Sequence, residues 1–128
     1  ASYMEHEFNH RPAIEEVKNI ITEYYNHITD QKILTGFSFQ GNAVWLSTEN
    51  QFNYKTAYDL AIQTNGATLP VTFKFGTDDN PVFHKFSNME EFTEFYTALA
   101  LFVQQTLQEG WDKKFNINWS AYEAVHND

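Results

Sequence analysis

Apolar positions along this chain change their period several times, and each change marks an element. Ile14, Val17, Ile21, Tyr24 and Ile28 recur at three- and four-residue steps, with Lys18, Glu23 and Asn26 elsewhere. That spacing predicts one amphipathic helix over about 12–29, packed on one side. Pro12 suits its first turn, where a missing N–H costs nothing, and Glu15 and Glu16 suit its positive end. Residues 36–54, GFSFQGNAVWLSTENQFNY, then read as a hairpin running straight into a capped helix. Gly41-Asn42 fits a two-residue II′ turn, which would set Gln40 opposite Ala43, Phe39 opposite Val44 and Phe37 opposite Leu46. Those last four side chains share the core side, and Trp45 and Ser38 share the other, so Trp45 needs separate cover.

Thr48 and Gln51 form an expected capping box for a second helix, about 49–64, carrying Phe52, Tyr54, Ala57, Tyr58, Leu60 and Ala61. Asn65-Gly66 suits a left-handed exit. Val71, Phe73 and Phe75 alternate with Thr72 and Lys74, residues 76–81 are turn-rich, and Val82 to Phe86 returns as the second strand of another hairpin. Ser87 and Glu90 make a second expected box, opening a helix over about 88–109 through Met89, Phe92, Phe95 or Tyr96, Leu99, Phe102 or Val103 and Leu107. Residues 98–103 are apolar in every direction around that helix, which predicts burial on two sides and a central position. Gly110 is expected to end or bend it, and a short C-terminal helical segment is expected from Ser120, where Glu123 completes a third box. The expected fold is α+β: two antiparallel β-hairpins (about 35–47 and 70–86) packed with three main α-helices and that short segment. Residues 1–11 read as a loose N-terminal segment ahead of one compact domain over 12–128.

Composition narrows the classes of function. A chain of 128 residues can bury roughly two thirds of its unfolded surface, so a real core is available. Its 42% hydrophobic content, with 12 Phe, 7 Tyr and 3 Trp, is too rich for a disordered acidic tail despite a formal charge of −9. With 8 Lys and Arg against 17 Asp and Glu, it lacks a basic stripe for phosphate backbones or anionic bilayers. Nucleic acid and membrane partners are not expected. The absence of Cys excludes disulfides, thiolate zinc sites and thiol chemistry. The longest apolar run, 98–103, falls far short of the roughly 20 residues that span a bilayer, so a soluble chain is expected. Position 1 is Ala, which fits a piece of a longer polypeptide, a processed product or residues added ahead of Met4.

Candidate chemistry is sparse. His6 and His10 have helical metal spacing, but no third ligand follows at a useful distance, and a loose terminus explains them. His84 lies among Phe83 and Phe86, as a packed or edge histidine would. Asp78-Asp79-Asn80 lacks the alternating oxygens and distal Glu of a calcium loop and reads as turn chemistry. Glu90, Glu91 and Glu94 suit a helix start better than an acid–base pair. No cofactor, metal site or catalytic residue is expected, and the chain is not expected to be an enzyme. The aromatic surplus is what has leverage, since Trp and Tyr supply rigid contact area. Trp45, Trp111, Trp119 and, on the long helix, Tyr96 are the interaction candidates, with intramolecular cover the plainer reading of each Trp.

The hairpin-and-cap block, the stretch NGATLPVTFKFG and the closing EGWDKKFNINWSAYEAV together resemble an uncharacterised domain of phage and prophage proteins, often C-terminal in tail-associated polypeptides. Gly41, Val44-Trp45-Leu46-Ser47 and Asn50-Gln51 carry the likeness most sharply. The resemblance implies a place in a virion or its assembly, in the phage tail or in host cytoplasm beforehand, with no catalytic residues. Three expectations follow. The first is a structural or interaction domain that docks onto itself, as a homo-oligomer, or onto other virion proteins. The second is a glycan-binding module using exposed Trp and Tyr. The third, resting only on the carboxylates and His84, is a small hydrolase.

Overall fold

A computed structural model of the chain describes residues 13–126, with side chains through 122. The fold is α+β. Its elements are α1 (Ile14–Thr35), β1 (Ser38–Phe39), β2 (Asn42–Ala43), α2 (Thr48–Gln63), β3 (Val71–Gly76), β4 (Pro81–Phe86), α3 (Met89–Phe115) and α4 (Trp119–His126). β1 pairs antiparallel with β2, and β3 with β4, as two separate ribbons. The chain divides into two compact units, Asp30–Leu107 and the segments flanking it. The loose N-terminal segment expected over 1–11, with His6 and His10, lies outside the described residues.

In the Asp30–Leu107 unit, Phe95 is the hub of an aromatic core. Its ring centroid lies 5.2 Å from Phe39, 5.3 Å from Tyr54 and Phe75 and 5.0 Å from Phe86. Phe86 also stacks on Phe92 at 5.0 Å. Such tilted, edge-on and offset pairs add about 0.5–1.5 kcal/mol each beyond area burial, because ring edges and faces carry opposite partial charge. The second hairpin follows the expected alternation: Val71, Phe73 and Phe75 share a face with Phe86, His84 and Val82 across the ladder.

The first hairpin corrects the expected register. Its turn is Gln40-Gly41, with φ of +51° and +82°, so both central residues are left-handed as in a type I′ turn. Phe39 therefore stands opposite Asn42 and Ser38 opposite Ala43, while the Val44 N–H donates to the Phe37 carbonyl at 2.9 Å. The pairing has slipped by two residues. Side chains alternate with period two, so a two-residue slip keeps every side chain on its expected face. Phe37, Phe39, Val44 and Leu46 are all buried, and Trp45 points outward, half exposed.

Both expected caps sit one residue away from their expected places. Ser47 Oγ, not Thr48, accepts the Asn50 N–H at 3.1 Å, and Gln51 reaches back to the Leu46 carbonyl at 3.0 Å. Asn88 Oδ1, not Ser87, accepts the Glu91 N–H at 2.9 Å. In each case two capping-competent residues are adjacent. The one used is the residue directly before the first helical position. Asn65 and Gly66 do adopt left-handed φ after α2.

The long helices correct four further expectations. α1 continues to Thr35 because nothing between 29 and 35 breaks it, and its last turns bury Ile33. α3 continues to Phe115, straight through Gly110. Gly110 is a contact point: a Cβ there would overlap Thr29 Oγ1, with Thr29 Cγ2 at 3.0 Å and Cβ at 3.2 Å. The small pair lets α1 and α3 approach closely within the flanking unit. The same contact sets which face of α1 is covered. Tyr24 lies five residues from Thr29, ~140° around a helix of 3.6 residues per turn, and is 61% exposed rather than packed; Ile28 is 38% exposed. α3, finally, buries one line, Phe92, Phe95, Leu99 and Thr106, while Leu101 is 51% exposed. Ala98, Phe102 and Val103 flank that line half-buried against the core, and only the Leu101 direction of the 98–103 run stays open. α4 begins at Trp119, one residue before the expected Ser120.

Candidate functional site

The outward side of the first hairpin carries the most developed surface feature. Trp45 lies between two buried neighbours, Val44 and Leu46, which fix its backbone by packing. Hydrogen bonds fix it further: Asn50 Nδ2 donates to the Trp45 carbonyl at 2.9 Å, and the Leu46 N–H donates to the Leu34 carbonyl at 3.1 Å. The Trp45 backbone is thus tied down on both sides, and the residue remains 52% exposed. It lines a cleft of about 640 Å³ whose other walls are the last turn of α1, the start of α2 and the β3 end with its turn. In that turn the Asn80 N–H donates to Thr77 Oγ1 at 3.1 Å and Lys74 Nζ lies 3.4 Å from Asp78 Oδ1, so Asp78-Asp79-Asn80 is indeed turn chemistry.

His84 and Glu91 come together, with Nε2 and Oε2 3.3 Å apart, and Gln40 Nε2 donates to the same Glu91 oxygen at 3.2 Å. This cluster ties β4, the turn of the first hairpin and α3 to one another. The rings around His84 are Phe39, Phe75 and Phe86, at 5.7, 5.4 and 4.5 Å. Among the described residues, no three of His, Asp and Glu are grouped so as to hold a metal ion, and no helix is long and apolar enough to cross a membrane.

The other aromatic candidates separate into covered and open ones. Tyr96 is half-buried, stacked on Tyr58 with centroids 4.7 Å apart and planes at 16°. Trp119 is half-buried in the flanking unit, with Lys18 Nζ 5.7 Å from its centroid and Tyr122 beside it. Trp111 is 54% exposed. Trp45 and Tyr96 belong to the Asp30–Leu107 unit and Trp111 and Trp119 to the flanking one. The residues that sequence reasoning missed are Ile20, Phe52, Phe83 and Phe115, all large and exposed. Ile20, Tyr24 and Ile28 form a row at four-residue steps on α1, and Trp111 and Phe115 form another at the end of α3. That spacing is legible in the sequence, but the same periodicity also fits Tyr24 and Ile28 to the packed stripe, which the structure leaves them out of.

Comparison with known families gives a match over most of the chain. A family described as a domain of unknown function, DUF4376, matches residues 16–128. The chain belongs to that family. The DUF4376 match runs from the first turn of α1 to the end of the chain, so it takes in both hairpins, the Trp45 cleft and both exposed rows. No curated protein and no solved structure matches this DUF4376 chain.

Proposed function

We propose that this DUF4376 chain is a non-catalytic interaction domain of a tailed-phage or prophage virion protein, acting in tail assembly or attachment by docking onto other virion proteins or a second copy of itself. The supporting observation is the row Ile20, Tyr24 and Ile28 on α1. These three are 63%, 61% and 38% exposed, on a helix that meets Gly110 through a different residue, Thr29. Large apolar side chains in a regular row lose free energy of hydration only when another surface covers them, at roughly 25 cal/mol per Å² of area removed from water. Scattered exposed Leu or Ile is ordinary, but a helical row of this kind suits groove-and-ridge docking. The tail placement rests on the sequence resemblance of the hairpin-and-cap block.

Sedimentation over a wide concentration range tests the reading, with the chain alone and mixed with the purified products of the neighbouring tail genes. Association is expected, and Ile20→Glu with Tyr24→Glu is expected to abolish it while leaving the far-ultraviolet CD spectrum unchanged. A strict monomer that binds none of those products would overturn the reading, as would association indifferent to both substitutions.

A further inference from the structure

The cleft beside Trp45 has features that a contact row does not need. It is concave, its volume of about 640 Å³ lies in the range of small-molecule sites, about 300–1,000 Å³, and its lining is mixed. Trp45 lines it, with its backbone held by its buried neighbours and by the hydrogen bond from Asn50 to its carbonyl. Around it are Thr35, Asn50, Lys74, Thr77 and Asp78. Together these offer two hydroxyls, a carboxamide whose oxygen can accept, an ammonium and a carboxylate. The ammonium and carboxylate lie 3.4 Å apart and are both well exposed, so a ligand could hydrogen-bond to either without leaving a buried charge unpaired.

A ligand that fits this surface has one apolar face and a rim of donors and acceptors. It carries no strong negative charge, since Asp78 lines the site and the whole chain is at −9. A nucleotide or phosphorylated ligand meets a single Lys already beside a carboxylate. A purely apolar ligand leaves the polar rim unsatisfied. A neutral pyranose meets all the conditions: its C–H face lies on an indole, and its hydroxyls both donate and accept. We infer that the cleft between the first hairpin and the β3–β4 turn is a binding subsite for a neutral saccharide, with Trp45 as the stacking platform and Lys74, Asp78 and Asn50 as the hydroxyl partners. This is independent of the α1 row, which lies elsewhere in sequence and needs no small ligand.

The test is a titration of the intact chain with methyl glycosides of glucose, galactose, mannose, rhamnose and N-acetylglucosamine, followed by two-dimensional amide NMR. At about 10 mM sugar, even a site with a dissociation constant near 1 mM is mostly filled. At least one sugar is expected to shift the Trp45 indole N–H and the amides of Lys74 to Asp78. Trp45→Ala is expected to weaken that sugar at least about tenfold, as for a central aromatic anchor. Asp78→Ala, in an exposed turn where folding is not at issue, is expected to weaken it as well, and Trp111→Ala to leave it unchanged. The inference is overturned if no sugar shifts these resonances, if the shifts survive both Trp45→Ala and Asp78→Ala, or if only an unglycosylated peptide produces them. Association through α1 is expected to survive Trp45→Ala, so failure of one reading is distinguishable from failure of the other.

Discussion

Replacing Gly110 by Ala sets helix propensity against a steric contact, and the structure says which wins. In an ordinary helix interior the change gains about 0.8–1.0 kcal/mol, because Gly loses more backbone freedom on folding. Here the new methyl would overlap Thr29 Oγ1 and stand 3.0 Å from Cγ2 and 3.2 Å from Cβ, where carbon atoms prefer about 3.5–4.0 Å. Rotating Thr29 about χ1 does not relieve this, since its Cβ carries two heavy branches and one hydrogen, and every staggered rotamer leaves a branch at one of the two close positions. The two helices must then separate, and overpacking of this kind costs about 1–3 kcal/mol. Gly110→Ala should therefore destabilise the chain by about 1 kcal/mol net. In a Thr29→Ala background the two nearest atoms are gone, only the 3.2 Å approach remains, and the same substitution should become neutral or stabilising. The coupling in the double-mutant cycle is expected at about 1–3 kcal/mol. Urea denaturation followed by far-ultraviolet CD measures all four variants. An increase in stability of about 1 kcal/mol from Gly110→Ala alone, or an equal effect in both backgrounds, would refute the close approach and the orientation of α1 that depends on it.

Two further outcomes follow from the core and the caps. Burial holds the Tyr54 phenol above its usual pKa. The unfolded chain then releases that proton first, binds fewer protons than the native state near pH 10 and above, and gains relative stability as pH rises through the raised native value. Stability should thus fall in that alkaline window for the parent chain and fall less for Tyr54→Phe. Identical urea midpoints for the two from neutral to alkaline pH would remove Tyr54 as the cause. At the start of α3, Asn88→Ala should cost about 1 kcal/mol by removing the bond to the Glu91 N–H, whereas Ser87→Ala should be nearly silent. A larger loss from Ser87→Ala, by the same denaturation measurement, would return the cap to the residue that sequence reasoning chose.

What the sequence by itself determined was the kind and order of elements. Period-two alternation at Val71, Phe73 and Phe75, helical spacing through Phe92, Phe95 and Leu99, and left-handed punctuation at Asn65-Gly66 are local signals, each contained in a short window of the chain. The faces of the first hairpin were legible even though its turn was placed one residue late, because side-chain parity survives a two-residue slip. Tertiary structure decided everything that needed a partner. Whether Gly110 ends a helix or admits a neighbour depends on Thr29, eighty-one positions earlier in the chain. Which arc of α1 is covered depends on that same contact, so Tyr24 and Ile28 changed from core residues to exposed ones. The cleft beside Trp45 is assembled from α1, the first hairpin, α2 and the β3–β4 turn, and no window of sequence contains it. Periodicity fixes where a side chain points on its own element; only packing fixes what it points at.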